Sequence, residues 1–255
     1  MMKHYKNLQY CDEKDIESNI RFVCSYLNDD YIRSGIDWYP NAKKQLLKYK
    51  LEQDSKLDYT MIAQMTSVFS SRSKWNVNLR EIENVLSHVK QNGSNLESND
   101  MLNNRIYSTE AFYKKAWKSF DNELVFFFDK QTRKTCKKTG SFFYNLLLDN
   151  SFVTLDVHMS KCIARNHNDW FSLLLDGGIP SKNIYTSIEN LVLKIAEEYN
   201  LKGYELQASL WLIIKDREKE IIPLLKPIKV NHYYSPQKKM NKILISNTTN
   251  NYNYV

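Results

Sequence analysis

Two residues of reactive type stand eighteen positions apart in KKTGSFFYNLLLDNSFVTLDVHM (137–159): Lys138, in a cationic run, and Asp156. An amine that sheds its proton is a nucleophile, and a carboxylate stabilises a cation or moves a proton. A helix opening near Lys138 places the ammonium at the positive end of the helix dipole, which disfavours its charge by about 0.3–1 kcal/mol, less than one pKa unit. Arg133, Lys134 and Lys137 push the same way. A large shift would need burial against the neighbouring aromatic residues. Asp149-Asn150-Ser151 then ends the helix, FVTL runs extended, and Asp156 is placed to N-cap VHMSKCIAR. Roughly eleven helical residues advance about 16 Å and six extended ones return about 20 Å, so Asp156 can come back beside Lys138.

Each of these residues also has a plainer reading. Lys138 in RKTCKK suits a solvated or phosphate-binding charge, Asp156 a simple helix cap, and His158 a satisfied structural histidine. Trp75 and Asn78, in SRSKWNVN, either stand exposed as ligand-contacting residues or form a buried tryptophan with an asparagine cap. Gln207 is polar on the otherwise apolar face of YELQASLW. If buried it needs partners, and it either braces a pocket or hydrogen-bonds a ligand.

The elements that must position these groups are helical. Leu79, Ile82, Val85, Leu86 and Val89 form one stripe, and Ile188, Leu191, Val192, Ile195 and Tyr199 another. Thr186 with Glu189 reads as a capping box that starts the second of these helices. Further helices are expected at about 13–29, 40–53, 59–71, 109–121, 138–148, 157–166 and 203–219. Only ELVFFF (123–128) and FVTL (152–155) are extended candidates. The expected fold is all-α, with two helical subdomains, a helix-hairpin-helix-like element and a cleft between them. Residues 1–225 form the domain, with a seam near 91–104, and 226–255 a basic, Asn-rich, flexible tail.

Composition narrows the partners. A net charge of +7 favours an anionic partner such as nucleic acid. No apolar run approaches the ~18–20 residues of a membrane span, and MMKHYKNLQYCDEKD has no apolar signal core. An intracellular monomer is therefore expected. The four cysteines include no C-x-x-C pair, so they read as buried thiols; no metal site and no cofactor are expected.

The order of these parts resembles the helix-hairpin-helix DNA glycosylase superfamily. Its G-x-K-[TV]-A segment is similar to Lys138-Thr139-Gly140, and its [VI]-D-[TV]-H segment to Leu155-Asp156-Val157-His158-Met159, which is close to the 8-oxoguanine branch. WYPNAKKQLL (38–47), MIAQMTSVFSSRSKWNVNL (61–79) and YELQASLWLIIK (204–215) resemble phage-encoded members, extending the likeness over about 36–216. The resemblance implies a DNA N-glycosylase with lyase activity, acting on double-stranded DNA with a flipped base. Lys138 would attack C1′ and Asp156 would stabilise the cationic sugar. Where the family hairpin reads L-P-G-V-G-x-K, this chain has TRKTCKK (132–138), so side-chain cations would replace the backbone grip on phosphate. A nucleic-acid-binding protein without turnover, and a glycosylase of RNA or nucleotides, are the alternatives.

Overall fold

The structure is a computed structural model that describes residues 13–53, 58–70, 74–92, 114, 116, 137–165 and 182–228. It is all-α: the described residues contain no strand. The helices are α1 (Glu13–Cys24), α2 (Asp29–Gln53), α3 (Tyr59–Phe69), α4 (Trp75–Asn92), α5 (Lys137–Leu146), α6 (Val157–Ile163), α7 (Lys182–Glu198) and α8 (Gly203–Ile221), followed by a 3-10 turn at Ile222–Leu224. None among the described residues is long and apolar enough to cross a membrane. Residues 93–104 of the proposed seam, the hairpin residues 132–136, ELVFFF and residues 229–255 of the expected tail lie outside the described residues. The first residues of that tail are packed, because Ile228 is buried in the core and the Lys226 amide donates to Asn19 Oδ1 at 2.8 Å.

Local chemistry sets several boundaries that periodicity misplaces. The expected first helix stops at Cys24, because Asn28 starts a new one: its Oδ1 accepts from the Tyr31 amide at 2.9 Å, and Asp29 and Asp30 fill the acidic first turn. α2 then runs through Pro40, whose missing N–H falls on the exposed side of the helix. The other shift is at α7, which begins at Lys182, one turn before Thr186, so the expected capping box does not form. Glu189 is instead buried, and its Oε1 accepts from the Val153 amide at 3.1 Å.

Two buried clusters make the core. One joins Ile16, Ile20 and Val23 of α1 to Met159 and Cys162 of α6, to Ile188, Val192 and Ile195 of α7, and to Leu206, Leu210, Ile213 and Ile214 of α8. The other joins Tyr39 and Leu46 of α2 to Ile62, Met65 and Phe69 of α3, Ile82 and Leu86 of α4, and Phe142, Phe143 and Leu146 of α5; Tyr204 and Ala208 of α8 complete it. Residues 204 and 208 lie on one face of α8, and 206, 210 and 213 on another, so this helix belongs to both. α2 crosses α8 closely at the buried Gly35, where an added Cβ would stand 2.8 Å from the Glu205 carbonyl oxygen and the Ser209 amide. The buried thiols expected from sequence are found at Cys24 and Cys162. Burial pushes the Cys24 pKa up to about 12 and that of Cys162 well above its ordinary value.

Candidate functional site

Residues 152–155, neither helix nor strand, are a connector that leads from the turns after α5 to α6. Several of its backbone groups pair with side chains. The Tyr185 hydroxyl accepts from the Leu155 amide at 3.1 Å and donates to the Val153 carbonyl at 2.9 Å, while Glu189 takes the Val153 amide. The same Tyr185 ring lies 5.6 Å from the Lys137 Nζ, which donates to the Thr186 hydroxyl. One buried tyrosine therefore touches the residue before Lys138 and the residue before Asp156.

Lys138 is half-buried in the first turn of α5 and makes no ion pair or hydrogen bond among the described residues. Lys137, expected to face phosphate, is turned inward onto α7 instead, because Thr186 and the Tyr185 ring offer it an acceptor and a π face. Arg133 and Lys134 lie outside the described residues. Asp156 is the N-cap of α6: its Oδ1 accepts from the Met159 amide at 2.9 Å. Its other oxygen has no hydrogen-bond partner among the described residues.

An aromatic group joins the two segments. Phe142, one turn after Lys138 on the same face, has its ring 6.1 Å from Trp38 and 6.0 Å from Tyr39. His158, two residues after Asp156, meets Trp211 edge to face at 5.3 Å, and Trp211 lies 6.2 Å from Trp38. Burial lowers the His158 pKa below its ordinary value; Asp156 works against this and Lys161 with it. The imidazole is thus neutral near pH 7, with a buried Nδ1 that has no partner among the described residues.

Beneath this group lies a polar network. The Tyr39 hydroxyl donates to Gln207 Oε1 at 2.8 Å, so Gln207 takes the bracing role, and its amide nitrogen has no partner among the described residues. With its amide turned to satisfy both ends, Asn145 donates to the Ser141 and Phe152 carbonyls at 3.2 and 3.1 Å and accepts from the Thr154 hydroxyl at 3.0 Å. Burial, foremost, raises the Tyr39 pKa, so this phenol stays protonated.

Trp75 and Asn78 part company. Trp75, half-buried, packs on Trp38 at 5.6 Å and donates its Nε1–H to Gln45 at 2.8 Å. Asn78 is 1% exposed and donates to the Thr66 carbonyl at 2.9 Å. It ties α4 to α3 from a buried position. Trp38 and Trp75 line an open pocket of about 320 Å³ together with Ser34, Asp37, Asn41 and Gln45, and Leu212 of α8 adds an apolar wall.

Tyr185, Asn145 and Thr154 were not singled out in the sequence, and Trp38 and Tyr39 only within WYPNAKKQLL; the Tyr39 and Thr154 hydroxyls lie 3.3 Å apart. Tyr185 sits among loop-like residues, and nothing local marks it. Trp38 and Tyr39 form an aromatic doublet ahead of a proline, which alone would have drawn notice to that turn of α2. No curated protein and no solved structure matches this chain. Residues 2–218 match the model of a family of unknown function, DUF7178, and the chain belongs to that family.

Proposed function

We propose that the chain is a DNA N-glycosylase with strand-cleaving lyase activity. The Lys138 amine, in its neutral form, attacks C1′ of an extruded nucleotide; the glycosidic C–N bond breaks and the base leaves with the bonding pair, to be protonated. The C1′–N bond to lysine becomes a Schiff base as the sugar ring opens, and loss of a C2′ proton expels the 3′ phosphate. The Asp156 carboxylate stabilises the cationic sugar before the new bond is complete. The observation that carries this reading is Tyr185, whose ring lies 5.6 Å from the Lys137 Nζ and whose hydroxyl accepts from the Leu155 amide, so one side chain contacts both motif segments. The resemblance of the two motifs supports it independently.

Borohydride trapping on DNA carrying an abasic site or modified bases tests the chemistry. Wild type and Lys137→Ala should form the covalent adduct, and Lys138→Ala should not. Asp156→Asn preserves the cap, since asparagine caps as well as aspartate, and should cut base release about 10²–10⁴-fold. An adduct that survives Lys138→Ala rules this mechanism out. A second reading, a nucleic-acid-binding protein of the same fold without turnover, is favoured by one fact: Asp156 already has a structural task as a cap. Intact DNA binding with no adduct across the panel would select it.

A further inference from the structure

The pocket at Trp38 and Trp75 takes no part in the chemistry above, yet most of its polar groups are uncommitted. Ser34, Asp37 and Asn41 make no hydrogen bond or ion pair among the described residues, nor does the Trp38 indole N–H. Gln45 uses only its oxygen, for Trp75. Positions 34, 38, 41 and 45 fall on one stripe of α2, so these donors and acceptors surround a partly exposed indole surface rather than scatter along the helix. Cations flank them. Arg33, Lys44 and Lys48 are exposed and unpaired among the described residues, and they share an adjoining stripe with Asp37 and Asn41. On α8, Lys215 stands 5.0 Å over the Trp211 ring, one turn beyond the Leu212 wall.

Aromatic surface, open amide and carboxylate groups and a cationic flank match three parts of one ligand: the face of a heterocyclic base, its hydrogen-bonding edge, and the phosphates on either side. At about 320 Å³ the pocket is at the small end of ligand sites, room for one base and not an extended polycycle. We infer that the Trp38–Trp75 pocket binds a nucleobase of a single-stranded or locally opened strand whose phosphates follow the Arg33–Lys44–Lys48 stripe. Asp37 accepts only, so the preferred edge presents N–H donors. This inference shares with the proposed function only the premise that nucleic acid is the substrate; it does not need the Lys138 chemistry.

The test compares binding of a short labelled single-stranded oligonucleotide with its tetrahydrofuran-spacer counterpart, which keeps the phosphates and lacks bases. Wild type should prefer the strand with bases. Trp75→Ala should weaken that binding about 5–150-fold and leave spacer binding unchanged. Asn41→Ala, at an exposed position, should lose about 2–10-fold in the same selective way even if Trp75→Ala perturbs folding. Arg33→Glu with Lys44→Glu should weaken both strands and flatten the salt dependence. Equal binding of the two strands by wild type, or unchanged preference in folded Trp75→Ala and Asn41→Ala, overturns the inference. So does quenching of tryptophan fluorescence by tetramethylammonium but not by the oligonucleotide, which would make the site a cation cage. Borohydride trapping reports separately: an adduct without base-dependent binding sinks this pocket and leaves the lyase, and the reverse result sinks the lyase and leaves the pocket.

Discussion

His158 shows how one side chain can carry a pH response. Its ordinary pKa is 6.5, and burial against Trp211 lowers it in the folded protein. Above about pH 6.5 the imidazole is neutral whether folded or unfolded, and nothing is lost. Below that value the unfolded chain takes up the proton first, so stability falls as pH drops towards the depressed folded value and the loss then levels off. Asp156 and Glu218 favour the charged ring while Lys161 and Lys215 oppose it, so desolvation decides the sign. Thermal midpoints measured from pH 7.5 to 5 should fall less steeply in His158→Gln than in wild type. Parallel curves would show that the imidazole does not contribute.

At the scale of the element, the crossing of α2 and α8 depends on a missing methyl group. Alanine in place of glycine usually stabilises a helix interior by about 1 kcal/mol. At Gly35 the new Cβ would stand 2.8 Å from two backbone atoms of α8, which no rotamer can relieve. Gly35→Ala should therefore destabilise the protein by about 1–3 kcal/mol in denaturant titration. A gain would mean that the helices separate easily here. The apolar stripes of α4 and α7 were legible in the sequence because burial on one face leaves a 3.6-residue period. So was the Asp156 cap, because a capping side chain acts on its own helix. The start of α7 was not, since Glu189 could serve either its own helix end or a distant backbone, and the connector's unpaired Val153 amide decided it. FVTL, expected to be extended, is neither helix nor strand; the bonds that hold it come from α7 and leave no local trace.

For the molecule as a whole, the two buried clusters meet on α8, with Tyr204 and Ala208 serving one and Leu206 and Leu210 the other. Neither cluster can lose this helix without exposing part of its own core, so calorimetry should record one unfolding transition. Two separated transitions would show that each side stands without the other. Net charge raised the expectation of an anionic partner, but only the folded chain brings Trp38 beside Trp75, because that contact needs α2 and α4 side by side. The candidate site was thus half visible: its ends were written as motifs, its aromatic middle was dispersed over four helices.

Leu212, a wall of the indole pocket, belongs to the helix that both clusters share, with Gln207 and Trp211 only a turn or so away. A guest in that pocket leans on the party wall of the building and not on one room. Its grip should be felt as greater heat resistance of the entire fold, in proportion to the logarithm of its concentration over its dissociation constant.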